Sequence, residues 1–151
     1  MKGKLKSLKA KPKMVTLHCT DTSDEIDYTA ANIDAWHKSR KPPFREIGYH
    51  YVIRKDGMIE KGREDHVQGA HVRSHNKENL GIVWVGRYHF NEAQRYALLY
   101  LYHYLRIKYG VHSGDWFGHY EFDTANGKTC PNLEMDDIRA WLEGTSDLLL
   151  K

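Results

Sequence analysis

The chain has 151 residues, enough for one well-buried core and too few for two ordinary domains. It is 40% hydrophobic and 28% charged with four prolines, and no apolar run approaches the ~18–20 residues of a membrane-crossing helix, which excludes a membrane-spanning protein of the helical kind. The formal charge of +3 is uneven: six lysines and no acid lie in Met1–Lys13, leaving 17 basic against 20 acidic residues beyond, so the body is not a basic nucleic-acid binder.

Residues 1–13 form a basic N-terminal arm, expected to be either a disordered solubilising end or a docking segment for an anionic partner. No apolar stretch follows the lysines, so no ordinary secretory signal is expected. Met14 to Thr20 alternates and is rich in β-branched residues, which predicts a strand. Thr29 to Arg40 predicts a helix with Ile33, Trp36 and His37 on one face, stopped by Pro42-Pro43. Tyr49 to Ile53, the pair Asp56-Gly57 and Met58 to Glu60 read as a hairpin with a type I′ turn. Leu80 to Gly86 is apolar on both faces, as a central strand covered on both sides would be. Asn91 to Tyr109 predicts the longest helix, with Asn91 and Gln94 as a capping pair and Gly110 closing it. A last helix is expected from about Leu133 to Glu143, stopped by Gly144. Strands alternating with helices predict an α/β fold: one domain over residues 14–151, with a central mixed β-sheet flanked by about three helices.

Ten histidines and two cysteines hint at metal chemistry, yet no HExxH or CxxC is present. A catalytic zinc keeps three protein ligands and an open position, and spacing alone does not choose them here. His18 lies in a predicted strand, so Cys19 must point to the opposite face; if His18 reaches a site, Cys19 packs into the core. His119 and Cys130 flank Tyr120 to Thr129, an aperiodic stretch that reads as a loop, and Pro131 fixes the backbone after the cysteine. Taken singly, each histidine is more simply structural or exposed and Cys130 a small buried residue. Tyr49 on its own reads as core packing and Lys128 as a solvated lysine.

Six short segments, taken together and in order, change this reading. They are His18-Cys-Thr20, Ile47-Gly-Tyr-His-Tyr-Val-Ile53, Gly57 to Gly62, Gly69-Ala-His-Val-Arg-Ser-His-Asn76, Leu80-Gly-Ile82 and Lys128-Thr-Cys-Pro131. The set resembles the N-acetylmuramoyl-L-alanine amidases of the bacteriophage T7 lysozyme type, a family that includes bacterial amidases and animal peptidoglycan recognition proteins. The resemblance implies a Zn2+ ion held by His18, His119 and Cys130, with Tyr49 and Lys128 as the catalytic pair and His71 and Asn76 lining the substrate groove. It implies hydrolysis of the amide between N-acetylmuramic acid and L-alanine in bacterial peptidoglycan, and a phage endolysin that lyses the host cell. The protein would work as a monomer, be held in the host cytoplasm and reach the wall through another protein's pore. His50, next to Tyr49 on a predicted strand, should face away from the metal, and His37, His66, His75, His89, His103 and His112 match no ligand position. The interval from His119 to Cys130 is longer than in one phage enzyme of the family. Two further readings follow from the same family. One is a peptidoglycan-binding module without catalysis, whose members lose the ligand cysteine that this chain keeps as Cys130; the other is an amidase that also inhibits a phage RNA polymerase.

Overall fold

The computed structural model describes residues 11–149, so Met1–Ala10 of the expected arm lie outside the described residues. Five strands, β1 (Met14–Cys19), β2 (Tyr51–Ile53), β3 (Ile59–Lys61), β4 (Asn79–Trp84) and β5 (Trp116–Gly118), form one sheet in the order β3-β2-β4-β1-β5. Only the β2–β3 hairpin is antiparallel; β2–β4, β4–β1 and β1–β5 are parallel. Three helices, α1 (Ala30–Lys38), α2 (Glu92–Tyr109) and α3 (Met135–Leu149), complete a mixed α/β domain.

The period-two pattern of β1 divides the molecule. Val15, Leu17 and Cys19 point into a large apolar cluster with Ile82 and Trp84 of β4, Leu98, Leu101 and Leu105 of α2, and Leu142 of α3. Burying each such aliphatic side chain contributes about 1.5–3 kcal/mol. His18 shares the other face with its register partner Val83, which packs with Val52, Ile47 and Ile33 of α1 in a smaller cluster. β4 is buried along its whole length, as its unbroken apolar run requires. Helix α2 starts at a reciprocal cap, in which Asn91 Oδ1 accepts from Gln94 N–H at 2.9 Å and Gln94 Oε1 from Asn91 N–H at 3.1 Å; it ends at Gly110, φ 73°.

The structure departs from the sequence expectations at four places. In the hairpin only Gly57 has positive φ (87°), not Asp56, so the connection is a three-residue loop, Lys55–Gly57, closed by Gly57 N–H to Arg54 O rather than a type I′ turn. Helix α3 begins at Met135 and runs through Gly144, because that glycine does not take the left-handed conformation that ends α2 at Gly110. Trp36 leaves the buried stripe of α1 and packs edge-on against Tyr28 instead. Strand β5 was not anticipated: three residues are too few to show a period.

At the sheet edge Asp65 ties β2 and β3 to the end of α2. Its carboxylate accepts from the Tyr51 hydroxyl at 2.7 and 2.9 Å, from the Tyr109 hydroxyl at 2.6 Å and from the Lys61 ammonium, with Lys108 at 3.5 Å. Burial opposes its ionisation, but the Lys61, Tyr109 and Tyr51 hydrogen bonds prevail and bring its pKa from 3.8 to about 2. A depressed carboxylate pKa stabilises the fold above the unfolded value, and the contribution is lost as pH falls through the folded one. Asp65→Asn is therefore expected to cost about 2 kcal/mol at neutral pH. Denaturant titrations of both proteins should show that gap closing between pH 4 and pH 2; a gap that stays constant would assign the effect to packing alone.

Candidate metal centre

Parallel pairing of β5 with β1 puts Gly118 opposite Leu17, so the next residues, His119 and His18, sit side by side at the strand ends. Their rings are 4.7 Å apart between centroids, close to the ~4.8 Å spacing of neighbouring strands. The chain then winds through short 3-10 turns and returns, and Tyr120 N–H to Cys130 O (2.9 Å) fixes Cys130 beside His119. Trp84 Nε1–H to Pro131 O (3.1 Å) and Asn132 Nδ2–H to Arg87 O (2.8 Å) anchor the same return against the end of β4.

Among the described residues, the donor atoms of His18, His119 and Cys130 converge, all within 4.8 Å of one another. Cys130 Sγ is 3.8 Å from His18 Nδ1, and a tetrahedral zinc with ordinary Zn–S and Zn–N bonds separates such donors by about 3.6 Å. Two imidazoles and one thiol at this spacing, opening on the cleft, are a donor set that would fit a zinc ion.

A hydrogen-bond relay fixes which nitrogen of His18 is left without hydrogen. Asn79 O can only accept, so His71 Nε2 (2.9 Å away) carries hydrogen and His71 Nδ1 is an acceptor. His18 Nε2, 2.9 Å from that Nδ1, must then donate, which leaves the lone pair on His18 Nδ1 free for a metal. Desolvation comes first among the causes that hold both rings neutral: it takes His71 down to about 3 and lowers His18 as well, with the neighbouring His71, His119 and Lys128 adding to the His18 effect. Burial and then Lys128 lower His119. The His71 ring needs room, and a Cβ on Gly69 or Gly81 would lie 2.7 or 2.8 Å from it. That explains a glycine in the middle of buried β4.

The remaining candidates fall into place by geometry. The Tyr49 ring lies 5.0 Å from His18 and 5.3 Å from His37, and burial raises its phenol pKa far above the ordinary value. Lys128 is exposed at the mouth, near enough for its charge to act on His18 and His119. Asn76 borders the cleft, but its Oδ1 is committed to the N–H groups of His71 and Val72 (2.9 Å each), leaving only its amide nitrogen for a ligand. His50 is buried behind the site, accepting from Gly81 N–H and donating to Val67 O. Cys19 packs in the main core, yet its backbone N–H donates to Cys130 Sγ at 3.2 Å and the two thiols touch, so facing the core does not isolate it from the centre.

The cleft encloses about 780 Å3. Sequence reasoning missed part of its wall: His37, Arg40, Phe44 and Arg73. His37 Nδ1 accepts Gly48 N–H at 2.8 Å, and its pKa falls to about 4 through burial and the nearby arginines. Its place one turn after Ile33 on α1 was the available signal. Arg40 lies 4.6 Å above the Phe44 ring.

A family model described as N-acetylmuramoyl-L-alanine amidase matches residues 8–133. The chain is 29% identical over 137 residues to an endolysin of Klebsiella phage KP32 and 28% identical over 137 residues to an endolysin of Escherichia phage T7, each match covering 85% of this chain and 84% of the relative. Among solved structures it is similar to the N-acetylmuramoyl-L-alanine amidase LysC from Clostridium intestinale URNW, with 29% identity, a TM-score of 0.76 and 95% of both chains covered.

The relay makes a measurable claim. His71→Ala is expected to weaken divalent-cation affinity roughly 10- to 100-fold, as losses of such outer partners do. Chelator-competition titration measures it; unchanged affinity would free His71 from this role.

Proposed function

The chain belongs to the N-acetylmuramoyl-L-alanine amidase family, and from that membership we propose a Zn2+-dependent phage endolysin in which His18, His119 and Cys130 hold the ion while Tyr49 and Lys128 serve the reaction. The enzyme hydrolyses the amide between N-acetylmuramic acid and L-alanine in bacterial peptidoglycan. The observation that carries the zinc reading is the convergence of two neutral imidazoles and one thiol at the floor of an open cleft.

When bound, Zn2+ polarises the scissile carbonyl and lowers the pKa of water to about 7. The residues do the rest. His18 and His119 present neutral lone pairs because burial keeps protons off them. Cys130, whose thiol is pushed up by contact with Cys19 and by burial, binds a metal only as thiolate and must release its proton. Tyr49 stays a neutral phenol, so it is a poor base; it orients the attacking water and relays its proton. Lys128, exposed at the mouth of the cleft, is the cation that would stabilise the tetrahedral oxyanion, a contribution of about 3–4 kcal/mol in comparable sites. Arg40 and Arg73 suit the carboxylates of a peptide stem, and the free amide nitrogen of Asn76 supplies a donor.

No helix among the described residues is long and apolar enough to cross a membrane. As an endolysin the protein would be made in the host cytoplasm and act on the wall, as a monomer, after passing a pore formed by another protein. Inhibition of an RNA polymerase rests on the family resemblance alone.

The central test is digestion of purified walls, read as new N-terminal alanine, with metal content measured on the same sample. Zinc-loaded protein that releases no alanine would hand the case to a binding module. Cys130→Ala is expected to abolish both zinc binding and turnover, and Cys19→Ala to leave both nearly intact; equal losses would overturn the assignment of Cys130 alone as ligand. Lys128→Ala should keep its zinc and lose roughly 10²-fold or more in kcat, and normal turnover would remove its role.

A further inference from the structure

A second concave surface lies on the α2 side of the sheet and shares no lining residue with the cleft that holds the metal ligands. It encloses about 600 Å3 between α2 and the β2–β3 edge. Its floor is the Asp65 network, a carboxylate only 8% exposed that fixes the Tyr51 and Tyr109 hydroxyls and two lysines. Its rim is aromatic. Tyr100 and Tyr104, on successive turns of α2, hold their rings parallel within 5° at 6.4 Å and are 63% and 39% exposed. Tyr96, one turn earlier, extends the stripe at 62% exposed. These side chains are not needed by the core, which α2 serves with Leu98, Leu101 and Leu105. A contiguous exposed aromatic patch beside a concavity marks recognition.

The lining selects the ligand's chemistry. Added cations are poorly suited, because Lys61 already lies over the Tyr51 ring at 3.9 Å and Lys108 by the Tyr104 and Tyr109 rings at 5.3 Å. A bare anion would face Asp65 and Glu64. A protein partner would look for aliphatic fill, and only Ile59 and Leu101 supply it. A neutral, hydroxyl-rich ring meets every requirement: the axial C–H groups of a pyranose complement the negative face of a tyrosine. Its hydroxyl and acetamido groups find lysine, carboxylate, His66 and phenol partners around the edge.

We propose that this surface is a second, non-catalytic saccharide site that binds N-acetylated pyranose units of the peptidoglycan glycan strand. It lies across the sheet from the cleft, so it would grip a strand other than the one being cut and hold the enzyme on the wall through a second point of attachment. The choice of this saccharide rests on the amidase reading.

The test uses the full chain loaded with Zn2+, wild type against the double variant Tyr100→Ala/Tyr104→Ala. Tetra-N-acetylchitotetraose should shift the NMR signals of Tyr100 and Tyr104 in the wild type and bind the variant more weakly. The variant should pellet with purified walls roughly tenfold less well. Its turnover of a soluble muramoyl-peptide should be unchanged, since neither tyrosine touches the cleft. Unmoved tyrosine signals, or equal pelleting of the two proteins, would overturn the site, as would a change of oligomeric mass in the variant, which would make the stripe a self-association face. Failure of both proteins to cut the soluble substrate would instead sink the amidase reading, and a pelleting difference would survive it.

Discussion

Pairing of β5 with β1 over only three residues sets the centre, because the register Leu17↔Gly118 brings two histidines a hundred residues apart in sequence to neighbouring strand ends. Nothing in either local sequence could place them. β5 is an edge strand, held from outside by Arg139 of α3, whose guanidinium donates to Trp116 O at 2.9 Å and pairs with Glu121 beside His119. Gly118 permits the approach, since a Cβ there would come within 2.7 Å of the Met135 side chain. The convergence of His18, His119 and Cys130 thus depends on helix α3, which contributes none of the three.

The second constraint is that the buried floor of the cleft tolerates no uncompensated charge. His18 is 1% exposed, and a protonated imidazole at that depth would lack compensation. Desolvation and the one-way relay to Asn79 O keep it neutral and fix its tautomer together. The acceptor is itself immobile: Asn79 is fully buried, its side chain bonded to Thr16 Oγ1 at 2.8 Å and to His75 O at 2.8 Å. Tyr49 obeys the same logic with the opposite sign, because burial that denies His18 a proton also denies the phenol its loss. One desolvated floor therefore yields neutral imidazoles and a phenol that remains a donor.

Much of the fold was legible because its signals are local. The Asn91/Gln94 cap, the apolar run of β4 and the alternation of β1 each act within one element. β5 was illegible for the same reason in reverse: Trp116, Phe117 and Gly118 show no pattern, and only pairing with β1 makes them a strand. The ligand set was unreadable from spacing, and the motif resemblance named residues that the geometry then brings together. Asn76 shows what a motif leaves out. Its position by the groove suggested ligand contact, yet its carbonyl oxygen orders the backbone that carries His71. The contact of Cys19 with Cys130 was hidden for a related reason, since strand alternation predicts a face and not what a returning loop lays against the end of that face.

The two faces of the sheet divide the energetic burden. The face toward α2 and α3 is continuous aliphatic and aromatic packing, where burial stabilises without conditions. The face toward α1 carries His18, Thr16 and His50, buried polar groups that are tolerable only with partners. A small apolar cluster around Ile33 and Val83 shields them and adds comparatively little stability of its own. The polar centre can persist because the opposite face supplies the stability it lacks. It sits beyond the carboxyl ends of parallel strands β1 and β5, where side chains leave the sheet and a ligand can reach them without opening the core.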